Sequence, residues 1–488
     1  MDQQPRESWA SNLGFMLAAV GSCIGIGNIW RFPYVAGENG GAAFILIYLA
    51  FVIILGIPVL FAEFLLGSST RANPVGAFLK VSSKIHARLT GILCVITAFL
   101  ILSFYSAISG LILGYAIEFL RGTFSKLTSE QISRYFDAYT GNSILGILYH
   151  FLFLALCAVI VLKGIKGGIE KWSKILLPIL FTLVIIAIIR GITLPGAGGG
   201  IEFLLKPRLN AVTVATFSTA MSQAFFSLGV GMGIMITYGS YLNRKEKLLS
   251  NALQIGLFDT LGALLAGFAI FPALFAFGIS PSSGPSLIFR TLPNLFTKMS
   301  FGMGFGFLFF IFILIAALTS AISLLEVPTA YFIEQKNWTR RKAVILSALG
   351  AYLIGIPSLL TFGTIKISFL KHFNFFNIID LVSTGYMMPL CAVLTCIFVG
   401  IFWHKLETHM DDPLMKFLRY CILFIAPFFI SQFILFPVLE LFPALDLWLG
   451  SFEKVIVKIN IILTAVLLIF ILLILLIKLK SRFGKKSD

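Results

Sequence analysis

The chain has 488 residues, 58% of them hydrophobic and only 12% charged, with a mean hydropathy of +0.98; soluble domains average roughly half apolar and a quarter charged. That balance excludes a soluble enzyme, and no polar or Pro/Ser-rich linker divides the chain into globular units. The formal charge of +16 raises nucleic acid as a partner, but the 37 Lys and Arg are scattered between apolar runs and form no patch.

Apolar stretches of about 20 residues, the length that crosses a ~30 Å hydrocarbon core, predict twelve spans: 12–36, 42–69, 88–121, 143–162, 172–190, 212–241, 249–278, 300–334, 342–361, 376–403, 416–438 and 455–477. The chain therefore reads as an all-α integral membrane protein, one polytopic unit over 1–488. Residues 1–11 precede the first span and 478–488 form a tail. No Ala-x-Ala cleavage signal follows the first apolar stretch, so that helix is expected to stay. With the N-terminus in the cytoplasm, 24 of the 37 Lys and Arg lie inside and 12 outside, leaving only Arg31 within the membrane. This obeys the positive-inside rule, so both termini are expected to be cytoplasmic in a protein of the cell membrane. Topology and the anionic lipid surface then account for the charge without nucleic acid. The sequon Asn337-Trp338-Thr339 falls on a loop expected to be cytoplasmic and is discounted. The six cysteines lie in apolar runs without a C-x-x-C, so neither a disulfide frame nor a thiolate metal site is expected.

Span 1 is interrupted by Gly21-Ser22-Cys23-Ile24-Gly25-Ile26-Gly27-Asn28 and span 6 by Gly229-Val230-Gly231-Met232-Gly233. The breaks are five spans apart, and an odd offset reverses membrane orientation. Spans 1–5 (12–190) and 6–10 (212–403) can thus form a 5+5 inverted repeat, each half opening on a broken helix, with two further helices in 416–477. The long spans 3 and 8 occupy matching places. Glycine-interrupted helices at corresponding positions of two halves point to a midplane binding site. Unwound backbone is tolerated in a membrane only where ligand, water or protein satisfies its N–H and C=O groups. Amides at the N-terminal end of the outer half-helix, Gly25 to Gly27, suit a carboxylate, while the carbonyl end of the inner half-helix suits Na⁺ or an ammonium. Close helix packing is the competing reading of either glycine cluster alone.

Ionisable groups inside a membrane cost about 2.5–3.5 kcal/mol each and call for a partner or a function. The candidates are Arg31, Glu38, Glu63, Asp259, Glu326 and Asp380. Arg31 lies just beyond the span 1 break and Asp380 in the outer part of span 10, so the two can close an external vestibule. Glu63 and Glu326 are assigned to hydrogen bonding between helices. His86, His150, His372, His404 and His409 form no H-E-x-x-H and no G-x-S-x-G occurs, so no enzyme is expected; two non-equivalent breaks also differ from a symmetric channel filter.

The run Gly25-Ile26-Gly27-Asn28-Ile29-Trp30-Arg31-Phe32-Pro33-Tyr34, then Glu38-Asn39-Gly40-Gly41-Ala42-Ala43-Phe44, Gly56-Ile57-Pro58 and Glu63, closely resembles the signature of the neurotransmitter:sodium symporter family. The resemblance continues through Gln223-Ala224-Phe225-Phe226-Ser227-Leu228-Gly229 and Ala316-Ala317-Leu318-Thr319-Ser320, and covers spans 1 to 10. Within the family it looks like the bacterial amino-acid transporter branch, which includes the leucine transporter. It implies two co-transported Na⁺ ions. The first would be held by the Cys23 carbonyl, Asn28, Ser227, Asp259 and the substrate carboxylate. The second would be held by carbonyls of Gly21, Ile24 and Ala316 and hydroxyls of Thr319 and Ser320, although a Thr-Ser pair in a helix is commonly bonded back to its own carbonyls.

The resemblance further implies that a substrate carboxylate meets the amides of Gly25, Ile26 and Gly27 and the Tyr105 hydroxyl, while its ammonium meets carbonyls of Cys23, Phe226 and Ser227. Ile101, Tyr105, Phe226, Gly229, Met232, Ser320 and Leu324 would line the side-chain pocket. Phe226 with Tyr105 would form an aromatic lid beneath an outer gate of Arg31 and Asp380. An inner gate would comprise Arg6, Trp9, Ser240, Tyr241 and Glu334, the last standing where relatives often have Asp.

Monoamine transporters of the family carry Asp at the position held here by Gly25; its absence favours an amino acid over an amine. Gly229 and Met232 widen an apolar pocket, so a large aliphatic or aromatic neutral L-amino acid is expected, with small neutral amino acids as the alternative. Asp259 stands where many relatives have Asn, and chloride-dependent members place the anion near the positions of Tyr48, Gln223 and Ala263. An ionised Asp259 would reduce the charge of two Na⁺ and a zwitterion from +2 to +1, so chloride independence is expected. A non-transporting amino-acid sensor would use the same residues. Oligomeric state is not legible.

Overall fold

In the computed structural model the described residues are 7–141, 143–242, 247–281, 287–362, 368–370, 373–402 and 413–431. Arg6, span 12, the tail and the end of span 11 lie outside them.

Span 1 begins at α1 (Asn12–Cys23), whose N-cap Ser11 accepts the Gly14 N–H at 3.0 Å and so satisfies one of the amides a helix start leaves open. The helix stops at Ile24. A π-helical turn, Gly27–Arg31, leads into α2 (Phe32–Glu38), and the two pieces are bent by 46°. Span 2 is α3 (Ala42–Phe51), a π turn (Val52–Gly56) and α4 (Ile57–Thr70) in one run. The short α5 (Pro74–Val81), capped by Asn73, leads to span 3, α6 (Ile85–Leu120). Helix α7 (Ser129–Gly141) precedes span 4, α8 (Ser143–Leu162). Span 5 starts earlier than its apolar core suggested: a π turn at Ile165–Glu170 joins α9 (Lys171–Ile192), putting Lys166 and Lys171 on helix rather than loop.

After α10 (Gly198–Leu205), span 6 divides into α11 (Val214–Leu228) and α12 (Ile234–Gly239). Gly229, Gly231 and Gly233, at φ of +63°, +78° and +69°, form the break. These left-handed conformations cost a side-chain-bearing residue ~1–2 kcal/mol each, which is why glycine recurs at alternate positions. Spans 7 to 10 follow as α13 (Leu248–Ala276), α15 (Gly302–Lys336), α16 (Arg340–Leu360) and α17 (Phe375–Asp380), the last running through a π turn (Leu381–Met387) into α18 (Met388–Ile401); a short α14 (Thr291–Thr297) precedes α15. Span 11 is described through Pro413–Tyr420 and the π turn Cys421–Ile425.

Eight helical runs among the described residues are long and apolar enough to cross a membrane, and α1 with the Gly27–Glu38 piece makes a ninth. The protein is a multi-pass membrane protein. One local departure from the all-α expectation is a two-stranded antiparallel ladder, β1 (Ser368–Leu370) with β2 (Phe373–Asn374), ahead of α17.

The two longest helices among the described residues, α6 with 36 residues and α15 with 35, pack against each other, with α8 and α16 against them. The most apolar stretch of α15 is 78% buried, against 33% for the span that ends in α9, so core and lipid-facing helices differ in what covers them and not in hydropathy. The broken helices pack against this scaffold, α1 on α15 and α9, and α12 on α4. All six cysteines are buried free thiols.

Candidate functional site

Where the two breaks meet the central helices lies a cavity of about 350 Å³, counting the space at its mouth. Its walls include Cys23, Gly25 and Gly27 of the first break, Ile101 and Tyr105 of α6, Phe226, Gly229 and Met232 around the second break, and Ser320 and Leu324 of α15. Ser22 and Ile234 complete the lining, and both were missed in the sequence. Ser22 could have been found, because it sits inside the glycine-rich break; Ile234 faces the cavity only through the turn at Gly233.

Backbone approach defines one wall. A Cβ on Gly25 would come within 2.3 Å of Ser320 Oγ and 2.6 Å of the Tyr105 hydroxyl, and one on Gly27 within 2.8 Å of the Phe226 ring. A side chain at Gly25 would have to displace the Ser320 and Tyr105 hydroxyls. Of the three amides expected to face a carboxylate, that of Ile26 donates to the Tyr105 hydroxyl oxygen at 3.0 Å, while Gly25 and Gly27 line the cavity itself. Ser227 and Ile26, also expected at the substrate, are not among the lining residues.

Beside the cavity, Asn28, Ser227 and Asp259 converge. Asn28 Nδ2 donates to Asp259 Oδ1 at 2.7 Å, to the Asp259 carbonyl at 3.1 Å and to Ser227 Oγ at 3.0 Å. Ser227 Oγ lies 2.8 and 2.9 Å from the two Asp259 carboxylate oxygens, and the Tyr48 hydroxyl is 3.4 Å from Oδ2. Asp259 and Asn28 are fully buried. With its nitrogen so engaged, Asn28 Oδ1 has no hydrogen-bond partner although buried. A buried orphan acceptor beside a carboxylate carries a cost of about 1–3 kcal/mol, which a hard cation would remove. Gln223, next to this cluster, donates to the Gly27 carbonyl at 2.9 Å.

The second expected group lies on the end of α1 and on α15, which pack together. The Thr319 hydroxyl bonds back to Ile315 and Ala316 carbonyls at 3.2 and 3.0 Å, the local pattern common for such residues. The Ser320 hydroxyl reaches across to the Ser22 carbonyl at 2.9 Å as well as back to the Ala316 carbonyl at 3.3 Å, and Ser22 Oγ meets Ser323 Oγ at 2.6 Å. Gly21 brings the α1 backbone against Thr319, whose Cβ a side chain there would approach to 3.3 Å. Gly21, Ile24, Ala316, Thr319 and Ser320 are therefore on two segments in contact.

The gates are asymmetric. Arg31 and Asp380 are not ion-paired in this structure: Arg31 donates to Ser222 Oγ at 2.9 Å and Gln223 Oε1 at 3.2 Å with its guanidinium 5.2 Å from the Phe226 ring centre, while Asp380 accepts from Thr384 at 2.7 Å. Hydrogen bonds within reach on α11 and on the π turn after α17 replace the pair expected from the sequence. At the opposite face, Trp9 is 4% exposed; its backbone N–H donates to the Tyr241 carbonyl and its ring N–H to the Tyr238 carbonyl at 3.0 Å. Tyr241 donates to Glu326 at 2.8 Å, and Arg340 bridges Glu326 at 2.6 Å and Glu7 at 3.1 Å. Glu334 accepts from the backbone and side chain of Asn73 at 2.9 and 2.8 Å, and Ser240 is buried nearby.

The sequence reading missed Glu7 and Arg340 in this closure, since Arg340 looked like one more loop cation; its bond partners come from α8, α15 and the segment before α1. Glu63 does bond between helices as expected, accepting the Gly231 N–H at 2.6 Å and so holding the second break.

The chain matches the sodium:neurotransmitter symporter family over residues 6–139 and 140–482. It is 40% identical over 407 residues to the uncharacterized sodium-dependent transporter YhdH of Bacillus subtilis, covering 83% of this chain and 90% of that protein. An uncharacterized sodium-dependent transporter of Haemophilus influenzae is 37% identical over 411 residues, covering 82% and 90%. Among solved structures, that of MhsT in complex with L-phenylalanine superimposes with a TM-score of 0.82 at 40% identity, covering 88% of this chain and 99% of that one.

Proposed function

The chain belongs to the sodium:neurotransmitter symporter family, and from that premise we propose that this sodium-coupled transporter imports a neutral, large apolar or aromatic L-amino acid with two Na⁺ ions and without chloride. The observation that carries the proposal is Asn28 Oδ1, buried and unbonded on a side chain whose nitrogen is held by the Asp259 carboxylate. All the oxygens around it are hard donors, which suit Na⁺ and not a soft metal. The L-phenylalanine complex of MhsT supports an aromatic cargo, as does the space left by Gly229 and the flexible Met232 in the lining.

In this reading the first Na⁺ takes Asn28 Oδ1, Asp259, Ser227, the Cys23 carbonyl and the substrate carboxylate, so cargo completes the ion site and the two bind together. The Asp259 carboxylate supplies the negative charge that chloride supplies elsewhere in the family. The second Na⁺ draws the Thr319 and Ser320 hydroxyls off the Ala316 and Ser22 carbonyls and ties α1 to α15. Gly25 and Gly27 admit the cargo carboxylate close to the backbone, with Tyr105 as its hydroxyl partner. Arg31 then leaves Ser222 and Gln223 for Asp380, Phe226 closes beneath it, and release follows when the Trp9, Tyr241, Glu326 and Arg340 contacts part. The Trp9 face is cytoplasmic, in the cell membrane. Two Na⁺ entering down ~100 mV gain about 4.6 kcal/mol, and a tenfold gradient of each adds about 2.8 kcal/mol, enough to hold a neutral amino acid near 10⁵-fold accumulation.

The test is uptake of labelled Leu, Met, Tyr, Trp, Gly, Ala, Pro and GABA into proteoliposomes, with Na⁺ or K⁺ outside and chloride or gluconate as anion. Large apolar amino acids should accumulate with Na⁺ under either anion. Sodium-dependent binding without accumulation or counterflow exchange would instead identify a sensor, and accumulation of Gly or Ala alone would overturn the pocket argument.

A further inference from the structure

On the Trp9 face, the end of α8 and the start of α16 are bound together. Arg340 Nε donates to the Val161 carbonyl at 2.8 Å, and the Glu7 carboxylate accepts both from Arg340 and from the backbone N–H of Ile165. These bonds hold the turn that carries Lys163 and Lys166 against the turn that carries Arg341 and Lys342. All four cations are exposed. The acids packed around them are already engaged: Glu7 and Glu326 by Arg340, and Glu170 by Lys174 and the Ala10 and Ser11 donors. Among the described residues no carboxylate lies within 4.0 Å of Lys163, Lys166, Arg341 or Lys342.

One turn further into the membrane the surface changes character. Arg341 and Lys342 are followed at i+4 by exposed Ile345 and Leu346, and Lys163 is preceded at i−4 by exposed Val159. The two lipid-facing stripes are continuous, because the half-exposed Phe151 of α8 packs edge-on against Tyr352 of α16 at 5.8 Å. At the boundary sits Trp338, stacked on Phe332 at 4.4 Å and covered by Lys342 at 4.7 Å, an amphipathic ring of the kind found at headgroup level. Four exposed cations with no carboxylate partner among the described residues, at the end of an apolar stripe shared by two membrane helices, complement one class of molecule, with a negative head and long apolar chains.

We propose that the ends of α8 and α16 on the Trp9 face bind the headgroup of an anionic phospholipid through Lys163, Arg341 and Lys342, with its chains lying along the stripe the two helices share. Three cations on one headgroup predict a local preference over a zwitterionic lipid of about fivefold for each cation at low salt, weakening as salt shortens the Debye length. The site needs no transport step, so it stands or falls separately from the cargo.

The experiment uses the full chain in phosphatidylcholine nanodiscs containing a minor fraction of either brominated phosphatidylglycerol or brominated phosphatidylcholine. Quenching of Trp338 is read as the difference between the wild type and Trp338→Phe. Stronger quenching by the brominated phosphatidylglycerol, lost in Lys163→Gln/Arg341→Gln/Lys342→Gln and kept in Lys126→Gln/Arg134→Gln/Lys298→Gln on the opposite face, is the expected result. Equal quenching by the two lipids in the wild type overturns the proposal without recourse to any variant of the cationic site. A preference that survives the triple substitution, or that both triple substitutions remove alike, overturns it as well, since the attraction would then belong to the whole surface.

Discussion

Replacing Asp259 by Ser removes a fully buried carboxylate that accepts from Asn28 at 2.7 Å and from Ser227 at 2.8 and 2.9 Å. Two terms follow. Loss of a unit negative charge about 4 Å from a cation costs roughly 4 kcal/mol at an effective dielectric of 20, or about a thousandfold in Na⁺ affinity. The Asn28 and Ser227 donors also lose an acceptor, at about 1–3 kcal/mol each if left unpaired. The volume vacated beside Tyr48 can take a small anion, so chloride should restore part of the affinity. The assay is substrate uptake against Na⁺ concentration in proteoliposomes, with chloride or gluconate as counter-ion. The wild type should give the same half-saturating Na⁺ in both anions, whereas Asp259→Ser should require far more Na⁺ in gluconate and recover in chloride. A variant that keeps wild-type Na⁺ dependence in gluconate, or a wild type that itself needs chloride, would refute the charge argument.

Tyr105→Phe removes the acceptor of the Ile26 N–H and should weaken substrate binding by about tenfold or more, read by competition binding with Na⁺ present. Gly231→Ala places a Cβ 2.2 Å from the Met388 carbonyl oxygen at φ +78°; thermal unfolding in detergent should show a loss of at least ~1–2 kcal/mol, whereas Gly167→Ala, in a helical turn with nothing within 4 Å, should unfold at or slightly above the wild-type temperature. Arg340→Gln leaves Glu326, whose side chain is 0% exposed, without its cation. Breaking such a pair costs about 3–5 kcal/mol, so a cysteine probe on the Trp9 face should become accessible faster than in the wild type; unchanged labelling would remove Arg340 from the closure.

Much of this protein was determined by local chemistry. Hydrocarbon thickness demands about 20 apolar residues per crossing, so span positions follow from composition, and α8 begins and ends at the boundaries expected for span 4. Glycine at alternate positions leaves Gly229 to Gly233 little choice but to unwind, and the break in span 1 was equally legible. Ten of the twelve lining residues, all but Ser22 and Ile234, were expected through a resemblance whose glycine motifs reflect close approach: a Cβ at Gly25 or Gly27 would press on Ser320, Tyr105 and Phe226.

Tertiary structure decided what depends on partners distant in sequence. Arg31 sits between Ser222 and Gln223 rather than on Asp380, because a long flexible cation takes whichever acceptors the conformation brings within reach. Arg340 lies on a cytoplasmic-type basic turn that looks like any other; its burial against Glu326 and Glu7 depends on where α15 and the N-terminal segment pack. The difference between α15, buried, and α9, largely in lipid, is equally invisible in residue type, since lipid and protein interior are both apolar and only packing distinguishes them.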